Sequence, residues 1–114
     1  MNDPRIDAVL GGQTVIVNMM RDRKLVSWAR QQGLFVYVGR NSQYLKDSGD
    51  WGNPFTLKRD GDRNQVCEKH IKWLAGQPEL LARIPELRGK VLGCYCKPDR
   101  CHGDHLAELA NATK

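Results

Sequence analysis

The chain has 114 residues, 18 of them lysine or arginine and 13 aspartate or glutamate, which gives a formal net charge of +5. A hydrophobic fraction of 40% excludes a disordered protein, and the length allows one modest core. No apolar run approaches the roughly 20 residues of a membrane span, and the N-terminus does not resemble a secretory signal. We therefore expect a cytoplasmic protein without a membrane partner, and its basic surface suits a phosphate-bearing partner.

The first third of the chain alternates between loop, strand and helix patterns. Residues 1–13 end in Gly11 and Gly12, and we expect them to be a flexible, loosely held arm. The β-branched, apolar residues 14–20 predict a buried strand. Helical spacing predicts a helix over residues 21–32 that ends at Gly33, and residues 34–40 predict a second strand.

The remainder continues the alternation after a long loop, residues 41–55, that is rich in Ser, Gly, Asp, Asn and Pro. Predicted helices cover residues 62–74 and 79–83, a third strand covers 90–94, and a last helix covers 103–111. This order predicts an α/β fold over residues 14–114, in one domain: a small sheet of three or four strands, mostly parallel, with covering helices. We expect the ends of the second and third strands to be neighbours.

Three of the four cysteines, Cys94, Cys96 and Cys101, lie within eight residues and are followed by His102. Cytosolic thiols stay reduced, so this clustering indicates metal or thiol chemistry rather than disulfide bonds. Residues two apart at a strand end lie on one face. Cys101 and His102 are predicted at the start of the last helix, where negative charge is favoured and the pKa of a thiol falls.

Four interpretations of this cluster stay open. Cys94, Cys96, Cys101 and His102 match the side chains that bind zinc. Cys94 or Cys101 is a candidate nucleophile, with His102 or the following His105 as its base. A ligand phosphate is the third possibility, bound at the helix start by the Gly103–Asp104 segment. The fourth is that the cysteines are small buried side chains without chemistry.

A second candidate site follows the second strand. Gly39 permits close backbone approach, and Arg40 offers a planar group suited to phosphate. Trp51 is suited to stacking on a base, next to Gly52, and Asn53 both donates and accepts hydrogen bonds. The alternative is an ordered loop in which Trp51 lies in the core.

Cys67 and His70 form a third candidate, because residues three apart share a helix face and these two are able to complete a metal site. The alternative is a core-facing Cys67 and a half-exposed His70. His105, one turn into the last helix, is a further candidate for the cysteine site.

The two motifs, with the surrounding residues 14–111, resemble a bacterial and phage family known as domain of unknown function 4326. The matching residues are Gly39, Arg40, Gly52, Asn53, Pro54, Cys94, Cys96, Pro98, Cys101, His102, Gly103 and Asp104. Cys67 and His70 fall outside this pattern, which argues against them as ligands. The Cys-His arrangement is also similar to domain of unknown function 488, which implies a Rossmann-like architecture with the pair at a helix start and implies no activity.

Together these patterns predict a small enzyme or binder of a nucleotide-like or phosphorylated ligand. Arg40 and the start of the last helix would hold the anion, Asn53 and Trp51 the base or ring, and the Cys/His cluster would carry any chemistry. Two alternatives from other classes stay open: a zinc-stabilised module that binds nucleic acid, and a phage accessory protein that binds a host protein.

Overall fold

Parallel strands form the centre of the fold. The computed structural model describes residues 3–39, 51–52, 54–55, 59–95, 97 and 99–112. Within these residues the sheet has three strands: β1 (Val15–Asn18), β2 (Phe35–Tyr37) and β3 (Val91–Cys94). Their order is β1-β3-β2, and both pairings are parallel. The predicted mostly parallel α/β sheet is thus confirmed, with β3 at its centre.

Apart from the first, the helices lie close to the predicted positions. They are α1 (Pro4–Leu10), α2 (Arg23–Gln31), α3 (Arg63–Ala75), α4 (Pro78–Arg83) and α5 (His102–Ala112), and a 3₁₀ helix (Ile84–Leu87) precedes β3. Among the described residues, no helix has the length and apolar character needed to cross a membrane.

The N-terminal segment differs from the expectation of a loosely held arm, because it contains α1. The side chain of Asp3 accepts a hydrogen bond from the backbone N–H of Arg5, and Pro4 occupies the first turn, where its missing N–H costs nothing. Val9 is 3% exposed and packs in a core cluster with residues of α2. Burial of the Val9 side chain stabilises the packing of α1 against the sheet.

The alternation of side chains along the strands divides the core into two layers. Val17 and Val91 point to one face and pack with α1 and α2, while Leu92 packs on the other face with α5 and the 3₁₀ helix. Cys94, two residues after Leu92, belongs to this second layer. The last residue of the central strand therefore delivers a thiol to the space beneath α5.

A capping box fixes the start of α3, the helix that lies beside α5. The side chain of Asp62 accepts a hydrogen bond from the backbone of Gln65, and the side chain of Gln65 accepts one from the backbone of Asp62, both at 2.8 Å. With the start fixed, Cys67 and His70 fall on the buried face of α3.

Candidate functional site

The cysteine cluster lies at the carboxyl ends of the strands. Cys94 ends β3 opposite Asn18 of β1, and the backbone N–H of Val38, which follows β2, donates to the carbonyl of Gly93 at 2.9 Å. The expected proximity of the second and third strand ends is confirmed. This edge of an open α/β sheet is where ligands usually bind.

Cys94 and Cys101 form a close thiol pair, with 3.1 Å between their Sγ atoms. Both are buried, at 1% and 3% exposure. Cys96 lies outside the described residues. Of the predicted cysteine cluster, the fold thus brings together the thiol that ends β3 and the thiol that precedes α5.

Cys101 caps the start of α5. Its Sγ accepts from the backbone N–H of Gly103 at 3.4 Å, and its own N–H donates to a carboxylate oxygen of Asp104 at 3.0 Å. The other Asp104 oxygen accepts from Nζ of Lys97 at 2.9 Å. The sulfur therefore occupies the position where a helix N-terminus stabilises negative charge. Gly103 and Asp104, which we expected to bind a ligand anion, contact Cys101 and Lys97.

His102 is held in one tautomer by backbone carbonyls. Its Nε2 lies 2.6 Å from the carbonyl oxygen of Val38 and 3.1 Å from that of Trp51. Carbonyl oxygens only accept hydrogen bonds, so Nε2 must carry the proton. In the neutral ring, Nδ1 then keeps a free lone pair, and this atom lies 3.7 Å from Sγ of Cys101. The arrangement pairs a thiol with a base that a third group orients.

A small cavity of about 100 Å³ lies between α3 and α5 against this pair, and its lining includes Cys67, Cys101, His102 and His105. Behind it lies His70, whose ring centroid is 5.0 Å from that of His102. His70 is 1% exposed rather than half-exposed, and its Nδ1 has no hydrogen-bond partner among the described residues. Three histidine rings thus share the space beside the thiols.

The second predicted site is only partly within the described residues, because Arg40 and Asn53 lie outside them. Trp51 is 6% exposed and packs in the core, with the guanidinium carbon of Arg83 5.3 Å from its ring centroid. Gly39 is buried against the ring of Tyr37. The Trp51 ring is therefore not an open stacking surface, and Trp51 contributes its backbone carbonyl to His102 instead.

The predicted zinc ligands are only partly described, since Cys96 is one of them. Within the described part of the chain, no group of three or more His, Cys, Asp or Glu side chains is arranged to hold a metal ion. Thiolates that share a tetrahedral zinc lie about 3.8 Å apart, by the usual Zn–S distance. The observed 3.1 Å between Cys94 and Cys101 is shorter, so these thiols would have to separate to bind zinc together.

Asn18 is a positioning residue that the sequence analysis missed. Its Nδ2 donates to the carbonyls of Tyr95 and Lys97, at 3.3 and 2.5 Å, and its Oδ1 accepts from the backbone N–H of Met20 and Arg21. It thereby ties the segment after β3 to the end of β1. The available signal was the appearance of a polar residue inside the apolar run 14–20.

Comparison with known proteins gives a family and two relatives. The model of Domain of unknown function (DUF4326) matches residues 17–112. "Uncharacterized protein R718" of Acanthamoeba polyphaga mimivirus is 42% identical over an alignment of 90 residues that covers 68% of this chain and 68% of that protein. "Uncharacterized 12.4 kDa protein in nrdA-td intergenic region" of Enterobacteria phage T4 is 37% identical over an alignment of 65 residues that covers 54% of this chain and 59% of that protein. No solved structure matches. The chain therefore belongs to the DUF4326 family, as the two motifs indicated.

Proposed function

We propose that this protein is a small thiol-dependent enzyme in which Cys101 is the nucleophile and His102 its base, acting on a nucleotide-like or phosphorylated ligand. The observation that carries the proposal is the orientation of the imidazole. Two carbonyls hold the Nε2 proton, so the basic Nδ1 is directed to Sγ of Cys101 at 3.7 Å.

The first chemical step is proton transfer from the Cys101 thiol to Nδ1 of His102. The resulting imidazolium keeps its Nε2–H on the two carbonyls, whose partial negative charge stabilises it. The thiolate accepts from the N–H of Gly103 and lies at the positive end of α5. It then attacks an electrophilic atom of the ligand to form a covalent adduct, and His102 is placed to return the proton to the leaving group.

Two cations support the ligand class, although Asp104 and Glu108 also line the cavity. Arg100 lines it, and Lys97 lies beside the start of α5. Both are paired with partly exposed acids, Arg100 with Glu68 and Lys97 with Asp104. Exposed ion pairs contribute little stability, so both cations are able to exchange a carboxylate for a phosphate. The net charge of +5 favours an anionic ligand in the same way.

Alkylation with iodoacetamide at pH 7, followed by peptide mass spectrometry, tests the nucleophile. We expect Cys101 to react at least ~10-fold faster than Cys67, which is also buried and lines the same cavity but lies within α3 rather than at a helix start. The matched controls are Cys101→Ser, which should remove the fast phase, and Cys67→Ser, which should keep it. Equal, slow alkylation of both cysteines would overturn the assignment.

The ligand class is tested with the same reaction. Adenosine 5′-monophosphate should slow the alkylation of Cys101, inorganic phosphate should slow it less, and adenosine, which lacks the phosphate, should leave it unchanged. If adenosine slows the alkylation of Cys101 as much as adenosine 5′-monophosphate does, the ligand is not recognised through its phosphate. The zinc content of an untagged sample distinguishes the zinc-stabilised module from the thiol enzyme. About one zinc per chain, with thiols that are unreactive until a chelator is added, would favour the zinc-stabilised module.

A further inference from the structure

The proposed reaction does not involve the Cys94 thiol. Its Sγ lies 3.1 Å from Sγ of Cys101, whereas an S–S bond is about 2 Å long. Both backbones are fixed: Cys94 is the last residue of the central strand, and Cys101 caps α5 through its N–H bond to Asp104. Closing the remaining distance requires a movement of about 1 Å.

The cavity gives the two thiols different roles. Among the described residues that line it, Cys101 is included and Cys94 is not. A volume of about 100 Å³ exceeds the ~30 Å³ that one water molecule occupies in the liquid, so a molecule as small as hydrogen peroxide fits. A small oxidant therefore reaches Cys101 from the cavity, while Cys94 lies on the core side of the Cys101 sulfur.

We propose that Cys94 and Cys101 form a reversible dithiol–disulfide couple that hydroperoxides oxidise, an inference that rests on the assignment of Cys101 as the reactive thiol in the proposed function. Cys101 is the attacking sulfur and Cys94 the resolving one. A dithiol reductant returns the pair to its reduced state.

The step balances with hydrogen peroxide as the oxidant. The Cys101 thiolate attacks one peroxide oxygen, an S–O bond forms, the O–O bond breaks, and the departing hydroxide takes the proton from His102 to leave as water. Sγ of Cys94 then attacks the Cys101 sulfenic acid, the S–S bond forms, and the S–O bond breaks. The hydroxyl leaves as a second water with the Cys94 proton, so two thiols and one peroxide give one disulfide and two waters.

The oxidised state has a direct consequence for the site. Once Cys101 is bonded to Cys94, it has no free sulfur with which to attack a ligand, so oxidation switches the thiol chemistry off. The bond also joins the end of β3 to the start of α5 covalently. Reduction restores the nucleophile without any change of fold.

The experiment treats the full-length, reduced protein with a small excess of hydrogen peroxide and maps disulfides by mass spectrometry without reduction. We expect a linked peptide pair that contains Cys94 and Cys101, the loss of two titratable thiols, and full recovery with dithiothreitol. The Cys67→Ser control should form the same bond at the same rate. A bond from Cys101 to Cys67 or Cys96, or no disulfide at all, would overturn the proposal.

A second variant separates this inference from the proposed function. In Cys94→Ser the sulfenic acid on Cys101 has lost its resolving thiol, so dimedone should trap it, and alkylation of Cys101 by iodoacetamide should remain fast. Fast alkylation without a Cys94–Cys101 disulfide in the wild type would refute the redox couple and leave the nucleophile assignment standing. Slow alkylation together with no disulfide would refute both.

Discussion

The ring of His70 on α3 meets the ring of His102 on α5 at an interplanar angle of 64°, with centroids 5.0 Å apart. Burial, together with the positive charge that His102 and His105 are able to carry, lowers the pKa of His70 from its ordinary 6.5 to about 3. His70 is therefore a neutral ring at neutral pH, placed against the histidine to which we assign the role of base.

The lowered pKa of His70 predicts a loss of stability in acid. Because the folded-state pKa lies below the unfolded one, the unfolded chain binds this proton first as the pH falls below 6.5. The contribution of this neutral ring to the free energy of unfolding is complete above pH 6.5 and declines by ~1.4 kcal/mol for each pH unit below it. Between pH 7 and pH 5 we expect a loss of ~2 kcal/mol from this residue, measured by urea unfolding.

His70→Leu isolates this contribution, because leucine fills a similar volume and does not titrate. It also removes the buried, unpaired Nδ1, so its stability at pH 7 should equal or exceed that of the wild type. The difference between the two free energies of unfolding should widen by ~2 kcal/mol in favour of the variant from pH 7 to pH 5. Parallel pH profiles would show that His70 takes up its proton equally well in the folded state.

Replacement of His102 by glutamine should lower the reactivity of Cys101. A glutamine amide is able to donate to the carbonyl of Val38 or Trp51, which preserves part of the packing, but it provides no base next to the sulfur. We expect the alkylation rate of Cys101 at pH 7 to fall ~10-fold or more, and its pH profile to move to higher pH.

The matched control is His105→Gln, since His105 lines the same cavity without a hydrogen bond to a cysteine sulfur in the described contacts. Its alkylation profile should follow that of the wild type. If His102→Gln and His105→Gln give the same alkylation rate and pH profile for Cys101, the reactivity of Cys101 comes from the start of α5 and does not depend on a neighbouring base.

The fold was largely predictable because its signals are local. Val91 and Leu92 belong to one apolar run whose alternation sends them to opposite faces, and Pro78 and Gly33 mark a helix start and stop. The helix α1 had a local signal too, since Asp3 followed by Pro4 is typical of a helix start. Gly11 and Gly12, which follow, favoured a flexible segment in the prediction. The burial of Val9, which stabilises the helix, depends on tertiary contacts.

The proximity of Cys94, Cys101 and His102 was predictable from the sequence, whereas the tautomer of His102 was not. The spacing of Cys94, Cys101 and His102 placed them at one sheet edge, because a strand end and the following helix start must be close. The tautomer of His102 depends on the carbonyls of Val38 and Trp51, which are 64 and 51 residues away in the chain. Backbone carbonyls leave no mark in the side-chain sequence, so this determinant appears only in the folded structure.

Asn18→Ala should destabilise the segment that leads from β3 to the site. The variant removes two donors to the carbonyls of Tyr95 and Lys97 and one acceptor for two backbone N–H groups, in a side chain 7% exposed. Because buried polar groups lose their partners, we expect a loss of ~2–3 kcal/mol in urea unfolding. The control Asn64→Ala, at an exposed position on α3, should change stability by less than ~0.5 kcal/mol.

Gly103 should prove to be a packing residue, although its motif suggested a ligand contact. A Cβ at this position would lie 2.5 Å from Cδ1 of Ile16 on β1 and 3.4 Å from a methyl of Val38. Glycine at its start lets α5 approach the sheet this closely without moving the end of the Ile16 side chain. We expect Gly103→Ala to cost up to ~1 kcal/mol in urea unfolding, because the end of the Ile16 side chain has to rotate away from the new Cβ.

Removal of the clashing atom tests this cause directly. Ile16→Val deletes Cδ1 and nothing else, so the double variant with Gly103→Ala should recover at least half of the lost stability, as a coupling energy in a double-mutant cycle. Gly76→Ala serves as the control, since a Cβ there meets only the Trp73 carbonyl at an ordinary 3.5 Å. If the two substitutions at Gly103 and Ile16 are simply additive, the requirement for glycine arises elsewhere, and a direct ligand contact at Gly103 becomes the explanation to pursue.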